Sequence, residues 1–507
     1  MSREAVVAAL TVPELAPVVD LVVWVEDGVA VAANHVGRVR LHLDGRHEVV
    51  SGQDPVASTD PMAFLPYAAE LGAPGPRVST DNAYPYAARR ILSAFADADR
   101  SPDLAVVHTP RHFFPDEGGH RGEHGSLDVI QSRAPLVMAG PGVRQLGPVD
   151  DHARLVDVGP TLAVLCGVPE TDLVDGRGEP LDGAPLAQYL QLPPAPAGGS
   201  TGGSTGGAVG VPKKVVGILW DGAHCGDLLA MAEAGELPGV AWLLERGLAL
   251  RGGAVAEFPS VTLTNHTSIL TGVGPGRHGV LGNVFYDRAT GERVVPNDAA
   301  TWHRSAEWLR SGVRTVFEMV NDHVPQQNSP RTASIDEAID RGADYGTMAL
   351  LREAGGFQAA ADGMGDLMPD PASSVFLQHP EHLDDSYFHW GMQVDDLGLQ
   401  QLLQLWEDAE SAPVLTWWAN VVTDAGHHGG GPRSAMARDS LRQSDARLVA
   451  FLDHLETLGV RDEVTFLLTA DHGFEAADPG VTGSWTPALD ALGIPYRDEG
   501  PGFVYLL

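Results

Sequence analysis

The sequence predicts a large α/β protein, a three-layer α/β/α sandwich built on a mostly parallel sheet. Two observations predict it. Short apolar runs alternate with helical patterns over most of the chain, which is how parallel strands and their crossover helices read. Three of those runs, VVGILWDG, VLTWWANVVTD and VTFLLTADHG, also lead into acidic residues, at Asp221, Asp424 and Asp471. The carboxyl edge of a parallel sheet is where α/β proteins place their sites.

The elements follow in order. Residues 4–10 read as a helix, 18–25 and 29–34 as strands around an Glu26-Asp27-Gly28 hairpin turn, and 39–43 as a further strand. Helices are expected over 62–71 and 86–98, and strands at DLAVVHTP and RAPLVMAGPG. PPAPAGGSTGGSTGG, residues 193–207, is a flexible linker. Beyond it comes VVGILWDG, then a strand-like run over 248–258 and the first turns of a helix over 264–270. Residues 284–413 look least like sheet core and mix helices, at 300–309 and 397–408, with aromatics such as Trp302, Tyr387 and Trp390. The stretch SAMARDSLRQSDARLVAFLDHLETLG reads as an amphipathic helix covering the sheet.

Composition narrows the function. The 507 residues carry a formal charge of −34, so a basic track for a nucleic-acid polymer is excluded. That charge reads first as a solubility or high-salt adaptation, and it also suits a small substrate. Two cysteines, Cys166 and Cys225, give no disulfide framework and point to a reducing, cytoplasmic setting. Neither a signal peptide nor an apolar run of membrane-spanning length is expected, and oligomeric state is left open.

The stretch with most chemistry is FPSVTLTNHTSILTGVGPGRHGVLGN, residues 258–283. Thr262 falls at a strand-to-helix corner, where Thr and Ser hydroxyls are expected as caps and free backbone N–H groups favour an anion. A hydroxyl so held can attack a phosphoryl or sulfuryl group if a base or metal activates it. Asp221, Asp424 with His428, and Asp471 with His472 form a mixed Asp/His set that suits zinc, with manganese or iron as alternatives.

These blocks together resemble the alkaline phosphatase superfamily, and within it the nucleotide pyrophosphatase/phosphodiesterase branch. The resemblance implies Thr262 as nucleophile and Asn283 as the group holding a phosphoryl oxygen, aided by the Leu263 N–H. It implies one metal on Asp221, Asp471, His472 and the Thr262 oxygen. A second falls to Asp424, His428 and a late histidine. His428 is preferred over His427 because it keeps the four-residue step from Asp424. Thr264 stands where a proline is usual. For the late histidine, GGHRGEHGSLDVI offers His124, with His120 as rival and His112 behind it. That block closes the family's fold, yet here it precedes the linker. We therefore expect a circular permutation: residues 1–192 as the carboxyl-terminal part of the catalytic fold, 193–210 as linker, and 211–507 as the amino-terminal part. A cap-like insertion is expected over about 284–413, and a small α/β insertion where the new ends open.

The activity this implies is hydrolysis of a phosphodiester or phosphoanhydride bond in a small molecule or nucleotide, through a phospho-threonine. Phosphomonoester or phosphonoacetate-type hydrolysis on the same two-metal site is the alternative. A catalytically silent binding protein or engineered scaffold is the reading from another class.

Overall fold

The computed structural model describes residues 3–57, 84–115, 118–192, 212–356, 380–500 and 502–507. The expected helix over 62–71 and the whole of the expected linker lie outside the described residues. At the centre is an eight-stranded sheet. Its order is Tyr345–Gly346, Thr332–Ile335, Leu415–Asn420, Lys214–Trp220, Val464–Thr469, Leu136–Ala139, Gly247–Leu250 and Gly147–Val149. Pairing is parallel from the first of these through Val464–Thr469, and Leu136–Ala139 runs antiparallel to both its neighbours. The three middle strands are buried along almost their whole length, as expected for a sheet covered on both faces.

Two adjacent tryptophans show the layers. Successive strand residues point to opposite faces. Trp417 packs beside Gly217 and Leu162, on the side of the helix Val158–Leu165. Trp418 meets Phe451 of the helix Ala435–Thr457 on the other side. The helices Thr262–Thr271 and Val316–His323 join the first layer, and Pro238–Arg246 and Ser386–Leu405 the second. This is the expected α/β/α sandwich.

Residues 332–335 and 345–346 depart from expectation. They were placed inside a cap-like insertion, yet they extend the central sheet beside Leu415–Asn420. The strand TASI is short, small and polar at two of four positions, so it carries little strand signal. It is nevertheless buried throughout, because strands flank it on both edges and helices pack against it.

A second sheet of seven antiparallel strands draws on both ends of the chain. Tyr496–Glu499 and Phe503–Leu506 pair through Leu104–His108 with Val19–Glu26, Val29–Asn34, Gly37–Leu41 and His47–Gly52. Asp27 and Gly28, both at positive φ, form the two-residue hairpin loop, with Glu26 paired to Val29. Val6, Val7 and Leu10 of the first helix share an apolar cluster with Trp485, Leu489 and Val504. Among the described residues no helix is long and apolar enough to cross a membrane.

Candidate active site

The parallel register brings the acidic strand ends together. Trp220 lies opposite Asn420 and Leu219 opposite Thr469, so Asp221, the turn into the helix Val422–Gly430, and Asp471 emerge side by side. Gly222 donates its N–H to Asp471 Oδ1 at 2.9 Å, and Thr423 Oγ1 donates to the Asp221 carbonyl at 2.7 Å. Gly222 sits at φ +60°, and a Cβ there would come within 2.3 Å of the Phe474 ring and 2.9 Å of Asp424 Oδ1. Only glycine fits this corner.

Thr262 is the first residue of the helix Thr262–Thr271, after an extended Val261. The expected Thr/Ser cap is absent. Thr267, Ser268 and Thr271 instead donate to the carbonyls of Leu263, Thr264 and Thr267, one turn back. The hydroxyls are spent inside a fully buried helix, which leaves its amino end open. Leu263 N–H is also not free for a substrate oxygen: it donates to Asn283 Oδ1 at 3.0 Å. That bond holds the Asn283 amide, whose Nδ2 is its remaining donor beside Thr262 on the cavity wall.

The atoms expected to be ligands cluster. His472 Nε2 is 3.2 Å from Asp471 Oδ2 and 3.8 Å from Asp221 Oδ1. His428 Nε2 is 3.6 Å from Asp424 Oδ1 and 3.2 Å from His124 Nε2. Asp221 Oδ1, Asp424 Oδ1, Asp471 Oδ2 and His472 Nε2 are buried without a hydrogen-bond partner. Buried polar atoms rarely lack partners, and unpaired buried carboxylates are costly. Burial first, then Asp471 and Asp424, push the Asp221 carboxyl well above its usual range. Burial and the His472 ring hold His428 down to about 3, and burial with its neighbouring rings holds His124 well below the usual histidine range. Neutral imidazoles facing crowded carboxylates are the donor set of divalent cations, and these residues fit such ions.

The histidine alternatives separate. His428 belongs to this cluster, and its Nδ1 meets the Gly122 carbonyl at 3.0 Å. His427 is occupied elsewhere: its Nδ1 meets the Thr423 carbonyl at 2.6 Å, and its Nε2 accepts from His224 N–H at 3.3 Å. His124 groups with Asp424 and His428, and its Nδ1 lies 3.0 Å from the Ser260 carbonyl. His120 sits at the edge, grouped with Glu123 and His428. His112 faces the Gly483 carbonyl instead. Cys225 is a buried, free thiol at the start of the helix Cys225–Glu233.

Three residues escaped sequence reasoning. Tyr387 OH donates to Asp424 Oδ2 at 2.7 Å, although its distance in sequence gives no hint of this. His266 lies 3.8 Å from Asp221 Oδ2 and 3.7 Å from Asp471 Oδ2, and its Nδ1 meets Glu337 Oε2 at 2.8 Å. Burial opposes charge on this ring, yet Glu337 and the site carboxylates carry its pKa well above the usual histidine range. Trp417 Nε1 donates to the same Glu337 oxygen at 2.9 Å. His266 stood in the motif without a role, and nothing marked Glu337.

Comparison with known proteins gives the family. The family model for type I phosphodiesterase / nucleotide pyrophosphatase matches residues 215–492. An uncharacterised pyrophosphatase/phosphodiesterase of Schizosaccharomyces pombe is 36% identical over 75 residues, 13% of this chain and 16% of that protein. The alkaline phosphatase PafA of Elizabethkingia meningoseptica is 35% identical over 83 residues, 16% of this chain and 15% of that protein. These matches thus span only about a sixth of each relative. Among solved structures, an inactive variant of murine ectonucleotide pyrophosphatase/phosphodiesterase 5 in complex with AMP aligns with a TM-score of 0.36 and 16% identity, covering 52% of this chain and 57% of that one. Phosphonoacetate hydrolase from Sinorhizobium meliloti 1021 aligns at 0.32 and 22%, with the same coverage. With a family model matched across more than half its length, the chain belongs to the type I phosphodiesterase/nucleotide pyrophosphatase family, within the alkaline phosphatase superfamily.

Proposed function

We propose that the protein hydrolyses phosphodiester or phosphoanhydride bonds of small molecules, with Thr262 as nucleophile. The observation that carries this is the pair of buried, unpartnered carboxylates Asp221 and Asp424, which line one cavity with Thr262, Asn283, His124 and His428, with the unpartnered His472 Nε2 3.8 Å from Asp221 Oδ1. Asp221, Asp471, His472 and Thr262 Oγ1 would hold one divalent ion, zinc by donor type, and Asp424, His428 and His124 the other. When bound, such ions supply Lewis-acid charge and lower the pKa of a coordinated hydroxyl.

The chain's own groups do the rest. The open end of the helix Thr262–Thr271 presents the Thr262 hydroxyl with a positive dipole end behind it. The Thr262 oxygen attacks phosphorus, the ester oxygen leaves, and a phospho-threonine forms for water to cleave. Asn283 Nδ2, oriented by the Leu263 N–H, donates to the non-bridging oxygen where charge gathers. His124, held by the Ser260 carbonyl, keeps its Nε2 toward the cluster.

The test is elemental analysis with rates on bis-p-nitrophenyl phosphate and p-nitrophenyl phosphate. Two ions per chain and a preferred diester are expected, and Thr262→Ala should abolish turnover while retaining the Asp424 ion. Wild-type rates in Thr262→Ala would overturn the nucleophile, and a preferred monoester would overturn the diesterase reading.

The same reading includes the permuted order, with 1–192 and 211–507 as two parts of one catalytic fold. What supports it is that Leu136–Ala139 pairs between Val464–Thr469 and Gly247–Leu250, and that His124 lies against His428.

A further inference from the structure

The cavity beside Thr262 is far larger than a phosphate needs, about 910 Å³, and most of it lies away from the ligand cluster. One wall is a single stripe of the helix Ser386–Leu405. Tyr387, Trp390, Val394, Leu397, Gln401 and Gln404 all line it, at alternating steps of three and four. That spacing is one helical face, and the stripe runs roughly 25 Å. Its two ends differ in chemistry. At the near end Tyr387 bonds Asp424. At the far end Gln401 Oε1 accepts from Tyr345 OH at 3.1 Å and Thr347 Oγ1 at 2.8 Å. Between them Trp390, Val394 and Leu397 face the cavity, as do Met348 and Leu351 of the helix Thr347–Ala354.

This middle section is apolar and open. Trp390 is 37% exposed and Leu350 46%, so this apolar wall is reachable from solvent. No Lys or Arg lines the cavity among the described residues, whereas Asp298 and Asp336 do. A chain of phosphates along this wall would meet carboxylates and no cation. A flexible or flat hydrocarbon would meet its own kind, in a volume ordinary for a ligand pocket.

We propose that the substrate is a phosphodiester with one large apolar ester arm, which lies along the stripe Trp390–Val394–Leu397 while its phosphate sits at Thr262. This deepens the hydrolase reading above and rests on it for the chemistry. The length available between Tyr387 and Leu397, roughly 15 Å, accepts a chain on the order of ten carbons.

The experiment uses the metal-loaded full chain and a series of alkyl p-nitrophenyl phosphates from methyl to decyl, with phenyl and thymidine 5′ esters beside them. Burial of each methylene adds up to about 0.8 kcal/mol, so kcat/KM should climb by about 2–4-fold per carbon and then level off. The phenyl arm separates a flat ester from a chain, and the thymidine ester should trail the octyl one. Leu351→Asp and Val394→Asp should flatten the slope, a ratio indifferent to any overall change in rate. Calorimetric titration with the matching alkylphosphonates reads the same slope without turnover. A flat dependence on chain length, in rates and in binding, overturns the proposal even if the methyl ester is hydrolysed. A steep binding slope without hydrolysis of any ester would instead leave the pocket and overturn the hydrolase reading.

Discussion

Tyr387→Phe is the most informative single change near the ligands. It removes one oxygen and nothing else, and the ring retains its stacking on Trp390, with centroids 5.8 Å apart. The lost bond is the one to Asp424 Oδ2, at 2.7 Å. Asp424 Oδ1 already lacks a protein partner, so the carboxylate would then be fixed by its backbone alone. A hydrogen bond to a charged group is worth about 1.5–3 kcal/mol. Water can reach the partly exposed Tyr387 ring, so the lower part of that range applies, about 1.5–2 kcal/mol. At 1.4 kcal/mol per tenfold, the ion held by Asp424, His428 and His124 should bind about 10–30-fold more weakly. Outer partners of metal ligands typically act on this scale. The assay is chelator competition with elemental analysis at each point, which reports the weak ion separately from the tight one. Loss of both ions together, or unchanged affinity for both, would refute the assignment of Tyr387 to the Asp424 site.

Three further outcomes are expected. His428→Ala should lose the ion at Asp424 while His427→Gln keeps it, as measured by bound metal per chain; the reverse would exchange their roles. Burial lifts the Asp445 carboxyl to about 6, against the pull of the Gly239 and Val240 N–H groups it accepts. The fold thus holds that proton more tightly than the unfolded chain, so this group's contribution is full below about pH 4 and is lost as pH rises through about 6. Chemical unfolding of wild type against Asp445→Asn should therefore show wild type losing on the order of 2 kcal/mol relative to the variant between pH 4 and 7, and a difference of opposite sign would refute it. Cutting the chain within residues 193–211 should leave the two fragments co-eluting and active, since Leu136–Ala139 is paired on both edges; separation on size exclusion would defeat the permuted reading.

What could be read from the sequence follows a physical line. The positions of Asp221 and Asp471, with His472 next to it, were legible because a buried parallel strand is a largely apolar run, and each Asp is the first charged residue after such a run. The partners that orient them were not. His266 and Glu337 meet across 71 residues, Tyr387 and Asp424 across 37, and each bond depends on how layers stack rather than on local spacing. Capping was misread for a related reason. The run TLTNHTSILT holds five hydroxyls, and local pattern cannot tell a cap from a bond to the carbonyl one turn back; in the buried helix Thr267, Ser268 and Thr271 make the second, because no water remains to satisfy them. The adjacent His427 and His428 are the sharpest case. Both lie within a turn of Asp424, at three and four residues, so helix geometry alone admits either. The choice is made outside the helix. His224 N–H and the Thr423 carbonyl take both nitrogens of His427, whereas His428 Nδ1 is fixed by the Gly122 carbonyl and its Nε2 is turned toward Asp424 and His124. Gly122 and His124 come from the chain segment before residues 193–211. The segment that would supply His124 as the last ligand of the proposed site therefore also orients His428, and a second metal position there would form only once both parts of the chain have folded together.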